Sequence, residues 1–382
     1  MHRALQWLVV GMCLSGSINA STELCEWPRW QQFKAEHIRD GQVLERRAQG
    51  LRTTSEGQAY SLFFALVADD WRAFDDILSW TERHLAQGDL TAQLPAWLWI
   101  ASPGGEGHIA DANAASDADL WMAYTLLEAG RRWQSHRYSS LGYLFAKRII
   151  STETRSVAGL GTVLLPGPAG FVDEGGGVRL NPSYLAPPLL DYLAERFPAS
   201  RWPALRKSSG KVLLDSLQPE GVAPDWIRFD NGAWQRTLPD RIGSYDAIRV
   251  YLWAGMLADS HPLRQPLLNA MQSVALSLRE LPVPERIDTV SGRQQDAGPY
   301  GFSAAVLPLM KQLNHSEAVA NHRQRVVDAW PVNTEGNKQD SERYSGYYNR
   351  VLSLFGLGWL EQRFSFEQSG QLQAASWAPS CG

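Results

Sequence analysis

Histidine is scarce and scattered in this chain. Its eight histidines form no HExxH and no paired ligand spacing, so no metal or other cofactor is expected. A basic excess is lacking as well: 36 Lys and Arg stand against 40 Asp and Glu, a net charge of −4. A mildly acidic protein has no field with which to hold nucleic acid or anionic lipid. Beyond the first twenty residues no apolar run approaches the ~20 needed to span a bilayer. The glycine run Gly175-Gly176-Gly177 is not followed by Lys-Ser or Lys-Thr, and no Gly-x-Ser-x-Gly occurs, so a phosphate loop and a serine-hydrolase elbow are unsupported. Cysteines number only three.

What is present begins at the N-terminus. Met1-His2-Arg3, a mostly apolar stretch from Leu5 to Leu14 and a small-residue run ending Ile18-Asn19-Ala20 have the layout of a removable secretory signal. Residues 1–20 are therefore expected to be a signal peptide and residues 21–382 a single domain, because no linker-like segment interrupts them. Arg3 is the only charged residue removed, moving the balance from −4 to −5. The mature protein is expected in the periplasm or outside the cell, with no membrane insertion once the signal is gone. Cys13 leaves with the signal, whereas Cys25 and Cys381 lie at opposite ends of the mature chain. In an oxidising compartment that placement points to one disulfide joining the termini, with two free thiols as the bland alternative.

A helical period recurs throughout, and no segment alternates apolar and polar residues long enough to argue for a sheet. After Asp70 as an N-cap, Trp71, Phe74, Leu78 and Leu85 follow one stripe, and Gly88 ends it. About twelve helices are expected, near 27–38, 55–68, 71–86, 117–133, 138–150, 181–197, 202–217, 244–258, 262–280, 302–313, 316–329 and 344–361. Short turns between them alternate with long connections. Paired antiparallel helices then place the long connections at one end, in either a closed toroid of six inner and six outer helices or an open solenoid. Long connections are usually functional, so that end is where a site is expected.

Three acids fall at helix starts on that end: Glu56 in Thr53-Thr54-Ser55-Glu56-Gly57-Gln58, Asp117 in Ala115-Ser116-Asp117-Ala118-Asp119, and Asp246 in Ser244-Tyr245-Asp246-Ala247-Ile248-Arg249. Capping accounts for any one of them, and Thr53 to Glu56 and Ser116 to Asp119 both have capping-box spacing. Together, the repeat aims all three into one mouth. Carboxylates so gathered suit glycoside hydrolysis, in which one acid protonates the leaving oxygen and another activates water or attacks the sugar. The 16 Trp and 12 Tyr fit the same chemistry, because flat aromatic faces cover the C–H faces of pyranose rings. Trp97, Trp99, Trp226 and Tyr184 lie on the long-connection side, so sugar contact is expected of them. Core packing is the alternative, preferred for Trp80 and Trp253.

With Asn181-Pro182-Ser183-Tyr184 and Pro95-Ala96-Trp97-Leu98-Trp99, these segments resemble glycoside hydrolase family 8, in particular its exported endoglucanases that accompany bacterial cellulose synthases. The resemblance spans nearly the whole mature chain. It implies an all-α fold, an (α/α)6 barrel, that cleaves β-1,4-glucan (cellulose) with inversion. It implies Glu56 as general acid, Asp246 as general base and Asp117 as the residue gripping the sugar at the cleavage point. Tyr60, Tyr245 and Arg249 are implied supports of the base and bound sugar, and a cellulose synthase export complex is an implied partner. Ala118 stands where many members carry Gly, a departure the family pattern tolerates. The same barrel acting on chitosan, xylan or mixed-linkage glucan, or a non-catalytic glycan-binding scaffold, are the alternatives. A general acid must hold a proton although a helix start favours the ionised form, and sequence leaves open which influence wins.

Overall fold

The computed structural model describes residues 25–48, 50–101, 107–332 and 346–381; the expected signal peptide and Cys13 lie outside them. Thirteen α-helices occur among these residues. They are α1 (Pro28–His37), α2 (Ser55–Val67), α3 (Trp71–Leu85), α4 (Ser116–Arg132), α5 (His136–Thr152), α6 (Pro187–Arg196), α7 (Trp202–Ser216), α8 (Ile248–Gly255), α9 (Arg264–Ala270), α10 (Gln272–Leu278), α11 (Tyr300–Gln312), α12 (Ser316–Ala329) and α13 (Tyr347–Leu360).

Burial sorts the helices into two layers. Helix α2 buries every residue but Glu56, α8 buries all of its residues and α4 buries Ser116 through Gly130. By contrast, α12 buries only Ala318, His322 and Val326. A helix apolar on all sides belongs inside, and one with a single buried stripe belongs outside. The inner layer is α2, α4, α6, α8, α11 and α13, each backed by an outer partner. Large aromatic side chains from the inner helices meet at the centre: Trp121 lies 4.9 Å from Phe63, 5.3 Å from Trp253 and 5.1 Å from Phe355.

First and last inner helices touch, with Phe64 of α2 edge-on to Phe355 of α13 at 4.6 Å. This contact closes an (α/α)6 barrel and excludes the open solenoid. Helix α1, from the N-terminal end of the chain, serves as outer partner to α13, from its C-terminal end. Arg29 Nη1 donates to the Trp330 carbonyl at 2.7 Å, and Phe33 packs on Tyr347. Because one pair is made from both ends of the sequence, Cys25 and Cys381 meet as a disulfide, their Cα atoms 5.2 Å apart. Losing a native disulfide typically costs about 2–5 kcal/mol, and long loops lie toward the upper end. Cys25→Ser is therefore expected to lower unfolding stability by that order in chemical denaturation, and mass spectrometry of the native protein should find no free thiol; equal stability or two free thiols would contradict the closure.

Among the described residues the segments outside the helices are not all irregular. They contain strands of two to five residues: β1 (Ile38–Arg39), β2 (Gln42–Val43), β3 (Glu45–Arg47), β4 (Gly50–Thr54), β5 (Leu98–Ala101), β6 (Gly107–Asp111), β7 (Thr154–Val157), β8 (Gly161–Leu164), β9 (Val178–Leu180), β10 (Ile227–Asp230), β11 (Ala233–Gln235), β12 (Ile242–Gly243), β13 (Pro284–Asp288), β14 (Gln294–Ala297), β15 (Phe364–Phe366) and β16 (Leu372–Ala374). The widest sheet has the order β3-β4-β5-β6, all antiparallel.

Three expected helices differ from the sequence reading. The helix expected over 181–197 breaks into a 3₁₀ turn at Pro182–Tyr184 and α6, because Pro187 holds Ala186 in extended geometry and opens the helix itself. The one over 262–280 divides into α9 and α10 at Met271. The one over 244–258 begins only at Ile248, which leaves Asp246 in the turn before it.

Candidate active site

Glu56 enters from the first turn of α2, whose start is held by its neighbours in sequence. Thr54 is the N-cap, its hydroxyl accepting from Gly57 N–H at 3.1 Å; the capping box expected from Thr53 is not used. Instead, the Thr53 hydroxyl donates to the Val43 carbonyl at 2.8 Å. The Gln58 amide is fully buried and fully occupied: it donates to the Gly41 and Ile77 carbonyls and the Thr81 hydroxyl, and accepts from Val43 N–H. A saturated buried amide fixes its surroundings, because every alternative leaves a polar group without a partner. At Gly57, a Cβ would stand only 3.1 Å from the Tyr347 hydroxyl, so glycine lets that tyrosine approach Glu56.

Asp246 is placed differently. Asp225 Oδ1 accepts from the N–H groups of Ser244 (2.8 Å), Asp246 (3.0 Å) and Ala247 (2.8 Å), thereby capping the turn into α8. Burial, then the Asp246 charge, pushes the Asp225 carboxyl up to about 6. The Tyr348 hydroxyl donates to the Tyr245 carbonyl at 2.6 Å, bracing the same turn from α13. On the far side, Asn181 Oδ1 accepts from Ser183 N–H and hydroxyl, which turns its buried amide nitrogen toward Asp246. Asn181, Asp225 and Tyr348 were not singled out from sequence. Asn181 lies inside a quoted motif, but Asp225 and Tyr348 carry no local signal.

Arg249 joins the three acids. Its Nη1 lies 2.8 Å from Asp117 Oδ2, 2.7 Å from the Tyr60 hydroxyl and 3.6 Å from Glu56 Oε1, while Nη2 lies 2.7 Å from Asp246 Oδ1. Glu56 and Asp246 thus stand at different nitrogens of one guanidinium and keep part of their surface open, 22% and 31%. The Asp117 side chain is 2% exposed. Burial, then the Glu56 charge, pushes the Asp117 carboxyl well above the ordinary range against the opposing pull of Arg249. Burial also raises Asp246, with Arg249 opposing it. Burial alone would lower the Arg249 guanidinium, but the acidic groups around it hold it above its usual value.

The aromatic residues divide. The Trp97 indole N–H donates to Glu56 Oε2 at 3.0 Å. Tyr184 lies under Arg249, at 5.5 Å from ring to guanidinium carbon, and continues to Trp226 at 6.3 Å. Trp226 is stacked on Phe171 at 6.0 Å and covered by Arg179 at 4.5 Å. Phe171 extends this aromatic strip and was not foreseen. Tyr245 is exposed and lines the cleft with Glu56, Tyr60, Asp246 and Arg249.

Trp99, expected on the sugar, is instead 8% exposed and packs edge-on against Trp80 at 5.8 Å. The pairing of β5 with β6 shifts register between Leu98 and Trp99. The extra residue lies on β6 while β5 stays in register with β4, and Trp97 precedes β5, so strand alternation does not set residues 97 and 99 on one face. Trp99→Ala is accordingly expected to cost about 3–5 kcal/mol of stability with oligosaccharide affinity unchanged. Trp97→Phe keeps a flat ring and loses the N–H, so kcat should fall about tenfold or more with little change in stability. Thermal unfolding and calorimetric binding separate the two; weaker binding by the Trp99 variant at normal stability would reverse the assignment.

No group of three or more metal-ligating side chains occurs among the described residues, and no helix among them is long and apolar enough to cross a membrane. The family model for glycosyl hydrolases family 8 matches residues 3–362. An endoglucanase of Escherichia coli O157:H7 is 44% identical over 361 residues, covering 94% of this chain and 93% of its own length. One from Salmonella typhi is 43% identical over 379 residues, with 98% and 97% covered. The crystal structure of an endo-1,4-D-glucanase from Vibrio fischeri ES114 superposes with a TM-score of 0.85 at 46% identity, covering 91% of this chain and 99% of that one. A match over nearly the full length, on a barrel that gathers the motif carboxylates at one arginine, places this chain in glycoside hydrolase family 8.

Proposed function

We propose that the protein is an exported endo-β-1,4-glucanase that cleaves cellulose-type chains with inversion and serves a bacterial cellulose synthesis and export system. The observation that carries the chemistry is Arg249 standing between Glu56 and Asp246. In the proposed step, Glu56 gives its proton to the glycosidic oxygen as the bond from that oxygen to the anomeric carbon breaks. A water attacks the anomeric carbon from the opposite face and yields its proton to Asp246. Trp97 orients Glu56; Arg249, Asn181 and the Asp225-capped turn orient Asp246. Tyr184, Trp226 and Phe171 form the aromatic strip along which a glucan chain is proposed to run. The named activities of the relatives support glucan as the substrate. Export is supported by the N-terminal sequence and by the disulfide, which needs an oxidising compartment.

Reducing-sugar release from carboxymethylcellulose, chitosan and xylan tests the substrate. Release from carboxymethylcellulose is expected, and release from chitosan or xylan in its absence would replace the assignment.

Asp117 is proposed to grip the sugar at the cleavage point through the Arg249 and Tyr60 cluster. Asp117→Asn should lower kcat by about 10²-fold or more, since it removes a charge from a buried, paired cluster, with no glycosyl-enzyme forming. Trapping a sugar ester on Asp117 in intact-mass measurements would make the enzyme a retaining one.

A further inference from the structure

Two buried acids lie behind the site and take no part in these steps. Asp119 sits in the first turn of α4, two residues past Asp117, and Glu153 immediately follows α5; both are 0% exposed. Their carboxyls lie within hydrogen-bonding reach of each other, with no proton on either as a carboxylate to make the bond. None of the four oxygens meets an N–H or O–H group of any other described residue. The charged group acting on the pair from outside it is Asp117, of like sign.

A carboxylate in such a place, buried and with neither a protein donor nor a cation beside it, would lack what makes a buried charge tolerable. One proton between the two acids would still leave a net charge and oxygens without donors. Two protons satisfy all four oxygens, because each O–H donates to the other acid's C=O. The backbone builds the same connection. Leu165 N–H donates to the Glu153 carbonyl at 2.7 Å, and Ser116 N–H donates to the Pro166 carbonyl at 3.0 Å, so the segment after β8 runs from Glu153 to the start of α4.

We propose that Asp119 and Glu153 form a doubly protonated, doubly hydrogen-bonded acid pair that positions Asp117, tying the first turn of α4 to the end of α5 without setting a second charge behind the site. Asp117 already faces Glu56 and Tyr60 from α2, Arg249 from α8 and Asp246 from the turn before it. Arg249 already serves three carboxylates, and an ionised pair would add a like charge to that cluster. Burial pushes both acids well above the ordinary carboxylate range. Acids raised in the folded state stabilise it fully below their unfolded values near pH ~4, and that contribution is lost as pH rises through the raised values. The pair therefore works as a latch that weakens on the alkaline side.

The inference rests on Asp117 serving the hydrolytic site, but its first readout does not use activity. Infrared difference spectroscopy of the full mature chain at neutral pH should show a protonated-carboxyl band that the Asp119→Asn, Glu153→Gln double variant loses, since an amide pair makes the same two hydrogen bonds without an acid. The double variant should keep its neutral-pH kcat and carry its alkaline limb about one pH unit higher than the wild type. Asp119→Ala should lose about tenfold or more in kcat at unchanged KM, as expected of a displaced Asp117, and Asp119→Asn should restore it. Should Asp119→Ala not fold, the infrared comparison and the amide variants decide alone. An unchanged carboxyl band, an identical pH profile, or an Asp119→Asn variant with the loss predicted for Asp119→Ala would overturn the proposal.

Discussion

Glu56→Gln leaves a folded protein that binds glucan and does not cleave it. The expected loss in kcat is about 10²–10⁴-fold, the range over which a positioned general acid acts, with binding within a few-fold of the wild type. The reason is local. Gln keeps the shape of Glu and can still take the Trp97 N–H on its carbonyl oxygen, so the first turn of α2 is undisturbed. Only the transferable proton is lost. Aryl cellobiosides with a good leaving group need less protonation and should regain much of their rate with this variant. Substantial hydrolysis of an ordinary glucan by Glu56→Gln would remove Glu56 from the role.

Asp246→Asn is expected to be about as inactive, for the complementary reason that an amide cannot accept a proton from water. Arg249 Nη2 still has an oxygen to meet, and the turn before α8 still hangs from Asp225, so binding and stability should persist. Here the stereochemistry is diagnostic. If water enters between sugar and Asp246, the two carboxyl groups need about 6.5–9.5 Å between them, against ~5–5.5 Å for a retaining pair. Standing at different nitrogens of Arg249, Glu56 and Asp246 are held apart by the guanidinium. Proton NMR of fresh product from a β-linked glucan should therefore show the α-anomer first. Early β-anomer would contradict the inverting assignment.

Most helices were legible because they carry their own pattern over ten or more residues, long enough for the period to show, whereas α8, α9 and α10, of seven or eight residues, were misjudged in their bounds. The strands were not legible. Elements of two to five residues are shorter than the window in which alternation can be recognised, so β4 and β5, which flank Glu56 and Trp97, read only as long connections. Trp99 shows the same limit: whether it faces the sugar or Trp80 depends on how β5 pairs with β4 and packs on the helix that carries Trp80, which neighbouring residues do not record. The Asp119–Glu153 contact was equally hidden, because it needs two helices to pack before either acid has a partner.

By itself the sequence determined the helix pairs, the acids at their starts and the cysteines at the two ends, because periodicity, capping and spacing are written into neighbouring residues. Ring closure was decided only by tertiary packing, when Phe64 met Phe355, since an open solenoid carries the same helical repeat. Packing also decided which acids would share Arg249. Asp117 lies 132 positions from that arginine, and no local preference acts across such a distance. Burial then pushed the carboxyls of Asp117, Asp119 and Glu153 above their ordinary range, because desolvation exists only once the barrel has closed around them.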